Sequence, residues 1–247
     1  MNLSDLLAPA FVGLFLGLML GSAFYYRKRP ARFVREIPAF SRLWHAVGLA
    51  VESGSRLHFS LGRGNLISPR SAVAFVGLSV LGRIARSTVA SDRPPVATCG
   101  ESTLTILSQE TLHGASNFMG ADYDPLHGQL TGLTAYAYAV GATSLVHDEG
   151  MGANLLLGSF GTEVALIAEA GDRTDSLTLA GTDNLTGQAV LYATAQEPLI
   201  GEETYAGGAY LGVGGMHQAS LIAQDILRWV IILALLVGAV LKLVGVL

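Results

Sequence analysis

The residues of this chain that could do chemistry lie in four loops, each following a predicted strand and preceding a predicted helix. The loops are Gly62-Arg63-Gly64, Gly100-Glu101-Ser102, Gly158-Ser159-Phe160-Gly161 and Gly181-Thr182-Asp183-Asn184. In a parallel sheet the carboxyl ends of the strands share one edge, where ligands bind, and helix N-termini attract anions. The sequence therefore predicts a site for a small anionic ligand, such as a phosphate or a nucleotide, or for another polar ligand. Its candidate residues are Gly62, Arg63, Gly64, Glu101, Ser102, Ser159, Thr182 and Asp183.

These loops also have a simpler interpretation, in which they only turn the chain and cap helices. Gly, Ser, Thr, Asp and Asn serve that purpose in any α/β fold. The pair Gly62-x-Gly64 lacks the third glycine of a dinucleotide fingerprint, because position 67 is Ile67, and no Walker A sequence occurs. Binding and capping both remain open at this point.

No catalytic set is evident in the sequence. Cys99 precedes a helix, a position that can lower the pKa of a thiol, but a lone cysteine is also a common small core residue. Ser159 does not lie in a G-x-S-x-G turn, and the six histidines have no metal-ligand spacing. We expect no metal and no cofactor and assign no catalytic residue. Enzymatic activity stays open, and a non-enzymatic protein is favoured.

Two apolar segments enclose these loops. The first, 10–26, carries no charge, and the second, 229–247, is interrupted only by Lys242. About 20 apolar residues cross a hydrocarbon core. The sequence predicts an external tail at 1–9, a transmembrane helix at 10–26, a basic linker at 27–39, an α/β domain at 40–215, and a helix at 216–247 that continues into a second transmembrane helix.

The basic residues predict the orientation in the membrane. Six Lys or Arg residues follow the first span, and none precedes it; they are Arg27, Lys28, Arg29, Arg32, Arg35 and Arg42. Cytoplasmic flanks carry such an excess. We therefore expect a protein of the cell (inner) membrane with a cytoplasmic domain and both termini outside. A cleaved signal peptide fits less well, because its basic residues would precede the apolar run.

Small residues and the distribution of charge predict self-association. Gly13, Gly17 and Gly21 share one face of the first span, a pattern that lets transmembrane helices approach closely. They pack either two copies or the two spans of one chain. No Lys or Arg occurs at 94–172, and interface cores are depleted in charge. The net charge of −4 argues against nucleic acid. The expected partners are the lipid bilayer and a second copy of the chain.

Short apolar runs alternate with helical patterns through the domain. Strands are predicted at 57–61, 96–99, 154–157 and 177–180, and helices at 40–53, 68–90, 100–119, 133–146, 162–170, 186–195 and 199–211. The segment 121–132 is predicted as a polar loop. This alternation predicts an α/β fold with a mainly parallel sheet and helices on both faces.

Several segments of the domain carry a resemblance to a known family. They are LAVESGSRLHFSLGRG (49–64), SDRPPVAT (91–98), HDEG (147–150), GSFGTE (158–163), AGTDN (180–184) and QAVLYATAQEPLIGEE (188–203). The chain resembles a family of uncharacterised prokaryotic two-pass membrane proteins that share a domain of unknown function. The resemblance implies architecture and membrane placement, and it implies no catalytic residue.

Two functional hypotheses follow from the sequence. The favoured one is a membrane-anchored, self-associating scaffold or binding module of unknown ligand. The alternative is a membrane-tethered enzyme or a nucleotide- or anion-binding protein that uses the strand-end loops. A ligand bound across Arg63, Glu101, Ser159 and Asp183 would favour the alternative.

Overall fold

The computed structural model describes residues 3–26, 35–68, 71–88, 91, 93–148 and 150–245. Four basic residues of the orientation argument (Arg27, Lys28, Arg29 and Arg32) lie outside the described residues, as does Pro69 of the predicted helix start. The chain divides into a helical unit, Met1–Glu36 with Gly212–Leu247, and an α/β unit, Ile37–Leu211.

The described residues form nine α-helices and six strands. The helices are α1 (Leu3–Tyr26), α2 (Pro38–Ser53), α3 (Ala72–Thr88), α4 (Ser102–Met119), α5 (Ala135–Asp148), α6 (Val164–Arg173), α7 (Leu185–Thr194), α8 (Glu203–Tyr210) and α9 (Gly215–Leu243). The strands are β1 (Arg56–Gly62), β2 (Val96–Cys99), β3 (Gly128–Leu130), β4 (Met151–Ser159), β5 (Leu177–Thr182) and β6 (Glu197–Leu199).

All six strands are parallel and form one sheet in the order β3-β2-β1-β4-β5-β6. This is the doubly wound order, in which the direction of winding reverses between β1 and β4. The predicted α/β class and parallel sheet are confirmed. The reversal matters for function, because ligands of such sheets bind beyond the carboxyl ends of the strands, near the reversal.

Alternate residues of β4 face two different helical layers. Leu156 of β4 and Phe160, which directly follows the strand, pack with residues of α5, α6 and α7 in one buried cluster. On the other face, Leu157 lies against α3, where a Cβ on Gly77 would come 2.5 Å from the Leu157 carbonyl oxygen. Both faces of the strand are therefore buried, which explains why its sequence is a continuous apolar run.

The two edge strands were not predicted. β3 lies inside the segment predicted as a polar loop, and β6 precedes a helix that occupies only Glu203–Tyr210 of the predicted 199–211. Each edge strand has three residues, too few to show a period of two. Their pairing defines them instead: Gly128 pairs with Ala97, and Leu199 pairs with Gly181.

A buried polar row crosses the centre of the sheet at His58 of β1. The Nδ1 of His58 lies 2.6 Å from the Asn154 side-chain oxygen, and its Nε2 lies 2.8 Å from the Thr98 hydroxyl. The Asn154 amide in turn donates to the Ile167 carbonyl of α6, at 3.1 Å. All three side chains are fully buried. Burial lowers the pKa of His58 to about 4, against which its hydrogen bond to Asn154 acts.

In the helical unit, α1 and α9 lie antiparallel. Near the C-terminus of α1, the Ser22 hydroxyl donates to the Ala219 carbonyl at 3.1 Å, and nearer its N-terminus Phe11 and Phe15 share a groove with Leu227. Among the described residues, Leu7–Tyr26 and Gly215–Leu243 are long and apolar enough to cross a membrane.

Candidate functional site

The register of the sheet brings the strand ends to one edge. Gly62 pairs with Ser159, and Gly158 pairs with Thr182, so β1, β4 and β5 end at the same level. The Arg63 amide donates to the Ser159 carbonyl at 3.0 Å. The predicted convergence of these loops therefore appears in the structure. Whether they bind an anion depends on which of their donors remain free.

The loop after β1 uses its amides internally. The Gly62 amide donates to the Tyr138 hydroxyl at 3.2 Å, and that hydroxyl also bonds with the Ser60 hydroxyl. Gly62 itself has φ +71°, and a Cβ there would lie 2.5 Å from the Ser159 carbonyl oxygen. Only glycine fits this position. The close approach of β1 to β4 is by itself enough to require glycine at position 62.

The loop after β2 caps α4. The Glu101 carboxylate accepts from the Leu104 amide at 2.7 Å. Burial raises the pKa of Glu101, but hydrogen bonds from the Leu104 and Thr103 amides outweigh it and leave that pKa below its usual value. Ser102 is exposed in the first turn. The Gly100 amide donates to the Gly62 carbonyl at 2.9 Å, which ties this loop to β1.

The loops after β4 and β5 are joined by Thr182. Its buried hydroxyl oxygen accepts from the Phe160 amide at 2.9 Å and donates to the Phe160 carbonyl at 3.2 Å. The Glu163 carboxylate accepts from the Gly161 amide at 3.0 Å, and the Asn184 side chain accepts from the Thr186 amide at 3.0 Å. These groups do what helix caps and turn residues do, and they use the amides of Phe160, Gly161 and Thr186 within the chain.

Arg63 and Asp183 are the charged candidates that remain. The Arg63 guanidinium donates to the Leu133 carbonyl at 3.0 Å, in an exposed position. Both carboxylate oxygens of Asp183 are buried, and neither has a hydrogen-bond partner among the described residues. Tyr205 of α8 lies near this carboxylate: burial raises the pKa of Tyr205, and the charge of Asp183 raises it further. Tyr205 was missed, since nothing in its spacing links α8 to the end of β5.

Cys99 lies at the end of β2 but is not placed to act as a nucleophile. The thiol is fully buried, and its sulfur donates to the Ser108 hydroxyl at 3.6 Å. Burial raises the pKa of Cys99 to about 12. A thiolate is the reactive form, so this cysteine behaves as a small core residue. In the part of the chain that the structure describes, no three His, Cys, Asp or Glu side chains converge as a metal site.

Away from the strand edge, a concavity of about 370 Å³ lies between α5 and α6, where both helices end. His147, Asp148 and Thr143 of α5 line it, with Glu169 and Arg173 of α6. Arg173 donates to Glu169 at 2.6 Å across one helical turn. Glu149, which follows Asp148, lies outside the described residues.

The three glycines of α1 face away from α9. A Cβ on Gly13, Gly17 or Gly21 would meet nothing within 4 Å. The less exposed side chains of α1 at 7–26 lie on the opposite face; they are Phe15, Leu18, Met19, Ser22, Ala23 and Tyr26. Within one chain the glycine face is therefore open.

The apolar stretches of α1 and α9 are not level with each other. Phe11 and Phe15, in the middle of α1, line a groove of about 420 Å³ together with Gln224 and Arg228 of α9. Arg228 donates to Asp225 at 3.4 Å, and both side chains are 49% exposed. In the sequence, Asp225 and Arg228 come just before the second apolar stretch. In the structure, Arg228 lies beside the middle of the first apolar stretch, in α1.

Comparison with known proteins identifies one family. The family described as "Domain of unknown function (DUF6754)" matches residues 4–247, nearly the whole chain. This match confirms the resemblance to a family that shares a domain of unknown function. No curated protein and no solved structure matches the chain.

Proposed function

The chain belongs to the DUF6754 family, whose description assigns no activity, and we propose that it is a membrane-anchored module that self-associates. In this proposal the two apolar helices cross the cell (inner) membrane, the α/β unit lies in the cytoplasm, and both termini lie outside. The glycine face of α1 packs against a second copy of the chain. The observation that carries the proposal is the open glycine face.

The antiparallel helix pair supports membrane anchoring with the α/β unit on one side. Because Ser22 lies beside Ala219, the C-terminal end of α1 and the N-terminal end of α9 are at the same end of the pair. The chain between them begins and ends on that side. The basic residues that follow the first span favour the cytoplasm as that side.

The orientation has a direct test. A reporter that is active only outside the cytoplasm, fused after Leu247, is expected to be active, and a cytoplasmic reporter fused there is expected to be silent. The same reporters inserted after Gly120, in the turn that ends α4, are expected to give the reverse pattern. A cytoplasmic signal from the C-terminal fusion would contradict this topology.

The glycine face supports packing against a second copy. Small residues four positions apart let two helix backbones approach closely and gain van der Waals contact in lipid. The structure leaves Gly13, Gly17 and Gly21 without a neighbour within 4 Å of a built Cβ. The second span of the same chain does not use this face, so a helix of another copy is the partner we propose.

The offset between the two apolar stretches supports the same conclusion. If the bilayer covers all of α1, the half-exposed pair Asp225 and Arg228 lies in lipid. Charged side chains are costly there and normally face other helices. If the bilayer ends at Arg228, the exposed apolar residues Leu20 and Phe24 of α1 leave it. At either level, packing of a second copy against one of these surfaces would reduce its unfavourable contact with lipid or water.

Gly17→Leu tests self-association. We expect it to weaken the association of the detergent-purified chain at least tenfold, which is about 1.4 kcal/mol, because leucine separates the helix backbones. Mass photometry measures the oligomer fraction. The matched control is Gly238→Leu in α9, where a Cβ also meets nothing within 4 Å; it is expected to leave the mass unchanged. A wild-type monomer at micromolar concentration would refute self-association.

One observation favours the alternative of a ligand-binding or enzymatic α/β unit. Its strand order is the doubly wound order, which binds ligands at the carboxyl edge of the sheet. The hydrogen bonds of the strand-end loops weigh against an anion there, since the amides of Gly62, Arg63, Gly100 and Gly161 donate within the chain. The two functions are compatible, because an anchored module can also bind a ligand.

A further inference from the structure

One acidic side chain at the carboxyl edge of the sheet differs from the others. Glu101 and Glu163 each accept a backbone amide, at 2.7 and 3.0 Å. Asp183 accepts nothing from the described residues, although both of its carboxylate oxygens are buried. Burying a carboxylate without a hydrogen-bond donor is costly, so an orphan of this kind requires an explanation.

Helix α8 packs on one side of the end of β5, close to Asp183. Thr182 reaches the Phe160 backbone on the side of α7. Its neighbour Gly181 therefore faces the opposite side, where a Cβ would lie 3.0 Å from Thr204 of α8. Tyr205, the next residue of α8, lies close enough to Asp183 for the carboxylate charge to raise its pKa.

Ser159 joins this side of the edge from β4. A Cβ on Gly64, in the loop between β1 and α3, would lie 3.3 Å from the Ser159 Cβ and 3.6 Å from that of Ala74 in α3. Ser159 thus lies on the same side of the sheet as α3. Asp183, Ser159 and Tyr205 are polar groups from three elements on the α3 and α8 side of the carboxyl edge.

We propose that Asp183 anchors a ligand subsite on this side of the sheet, and that the subsite takes a group that donates hydrogen bonds and carries no negative charge, such as an ammonium or a pair of hydroxyls. A carboxylate repels anions and accepts hydrogen bonds. This subsite differs from the anion site predicted for these loops, since the amides of Gly62, Arg63, Gly100 and Gly161 donate within the chain. It is independent of self-association, which needs none of these residues.

The first test is the sign of a stability change. A carboxylate that awaits a ligand destabilises the free protein, whereas a capping carboxylate stabilises it. We expect Asp183→Asn and Asp183→Ala to raise the Tm of the detergent-purified full chain by a few degrees, since about 1 kcal/mol moves the Tm of a unit this size by roughly 2–4 °C. The matched control Glu163→Gln is expected to lower it. A fall in Tm for both Asp183 variants would overturn the proposal.

The second test uses defined probes. Putrescine supplies the ammonium and ribose supplies the hydroxyls, and inorganic phosphate is the anionic comparison. We expect one of the first two to raise the Tm of the wild type as its concentration increases, with no rise in Asp183→Asn. Which probe acts identifies the source of the donor. No rise with either probe, an equal rise in Asp183→Asn, or a rise with phosphate alone would overturn the proposal, whatever the oligomeric state.

Discussion

Gly62→Ala is expected to destabilise the α/β unit by about 3 to 5 kcal/mol, because a side chain there meets two separate costs. The backbone of Gly62 has φ +71°, a conformation that L-residues rarely adopt. The new Cβ would also lie 2.5 Å from the carbonyl oxygen and 2.9 Å from the nitrogen of Ser159. These are backbone atoms of the neighbouring strand and have no side-chain freedom. Urea unfolding of the purified chain, followed by circular dichroism, measures the loss.

Gly54→Ala separates the two costs. Gly54 ends α2 with φ +67°, but a Cβ there meets nothing within 4 Å. Only the backbone cost remains, so we expect a loss of about 1 kcal/mol. Equal losses at both positions would show that the contact between β1 and β4 at Ser159 is not as close as described. The edge that carries the candidate site would then differ from this account.

Lowering the pH from 7 to 4 is expected to destabilise the α/β unit through His58. In the folded chain burial lowers the pKa of His58 to about 4, while the unfolded chain keeps the ordinary value of 6.5. Between these values the unfolded state binds the proton and the folded state does not, so stability is fully present above pH 6.5 and falls as the pH drops to 4. The loss from this group is roughly 3 kcal/mol.

His58→Gln isolates the contribution of the histidine, because carboxylates also titrate in acid. Glutamine has no proton to gain and keeps groups that can bond with Asn154 and Thr98. We expect the variant to be less stable than the wild type at pH 7 and to lose the extra dependence on pH between 6.5 and 4. Urea unfolding across this range gives the difference between the two proteins. Parallel pH profiles would contradict the buried neutral imidazole.

The sequence predicted those parts of the fold that have a local signal. The strand at 96–99 was predicted with the bounds of β2, and the helix predicted to start in the turn Gly100-Glu101-Ser102 ends at Met119, as α4 does, since turn residues flank both elements. β3 and β6 were missed because each has three residues, too few to show the alternation of buried and exposed side chains that marks a strand. The strand order was not predictable either, because it depends on which strands pair, such as Phe59 with Leu155, and no motif encodes that pairing.

For the candidate site, the sequence predicted where the loops lie but not which groups their backbone amides bond with. A glycine before a polar residue has the same pattern whether its amide binds an anion or, like Gly62, the hydroxyl of Tyr138 seventy-six positions away. The buried, unpaired carboxylate of Asp183 likewise depends on α8, which packs beside β5 only in the folded chain. The sequence could not show that the glycine face of α1 is open, because the glycine spacing does not say on which side of α1 the helix α9 packs.

Disulfide cross-linking in native membranes tests self-association most directly. Ala10 lies on the same face of α1 as the glycines, and Leu18 lies on the face toward α9. Cys99 is the only cysteine of the chain and is buried, and its pKa is raised to about 12, so it is not expected to form a disulfide. Under mild oxidation, Ala10→Cys is predicted to form a covalent dimer while Leu18→Cys remains a monomer. No dimer from Ala10→Cys, or equal dimers from both variants, would contradict packing of two copies through the glycine face.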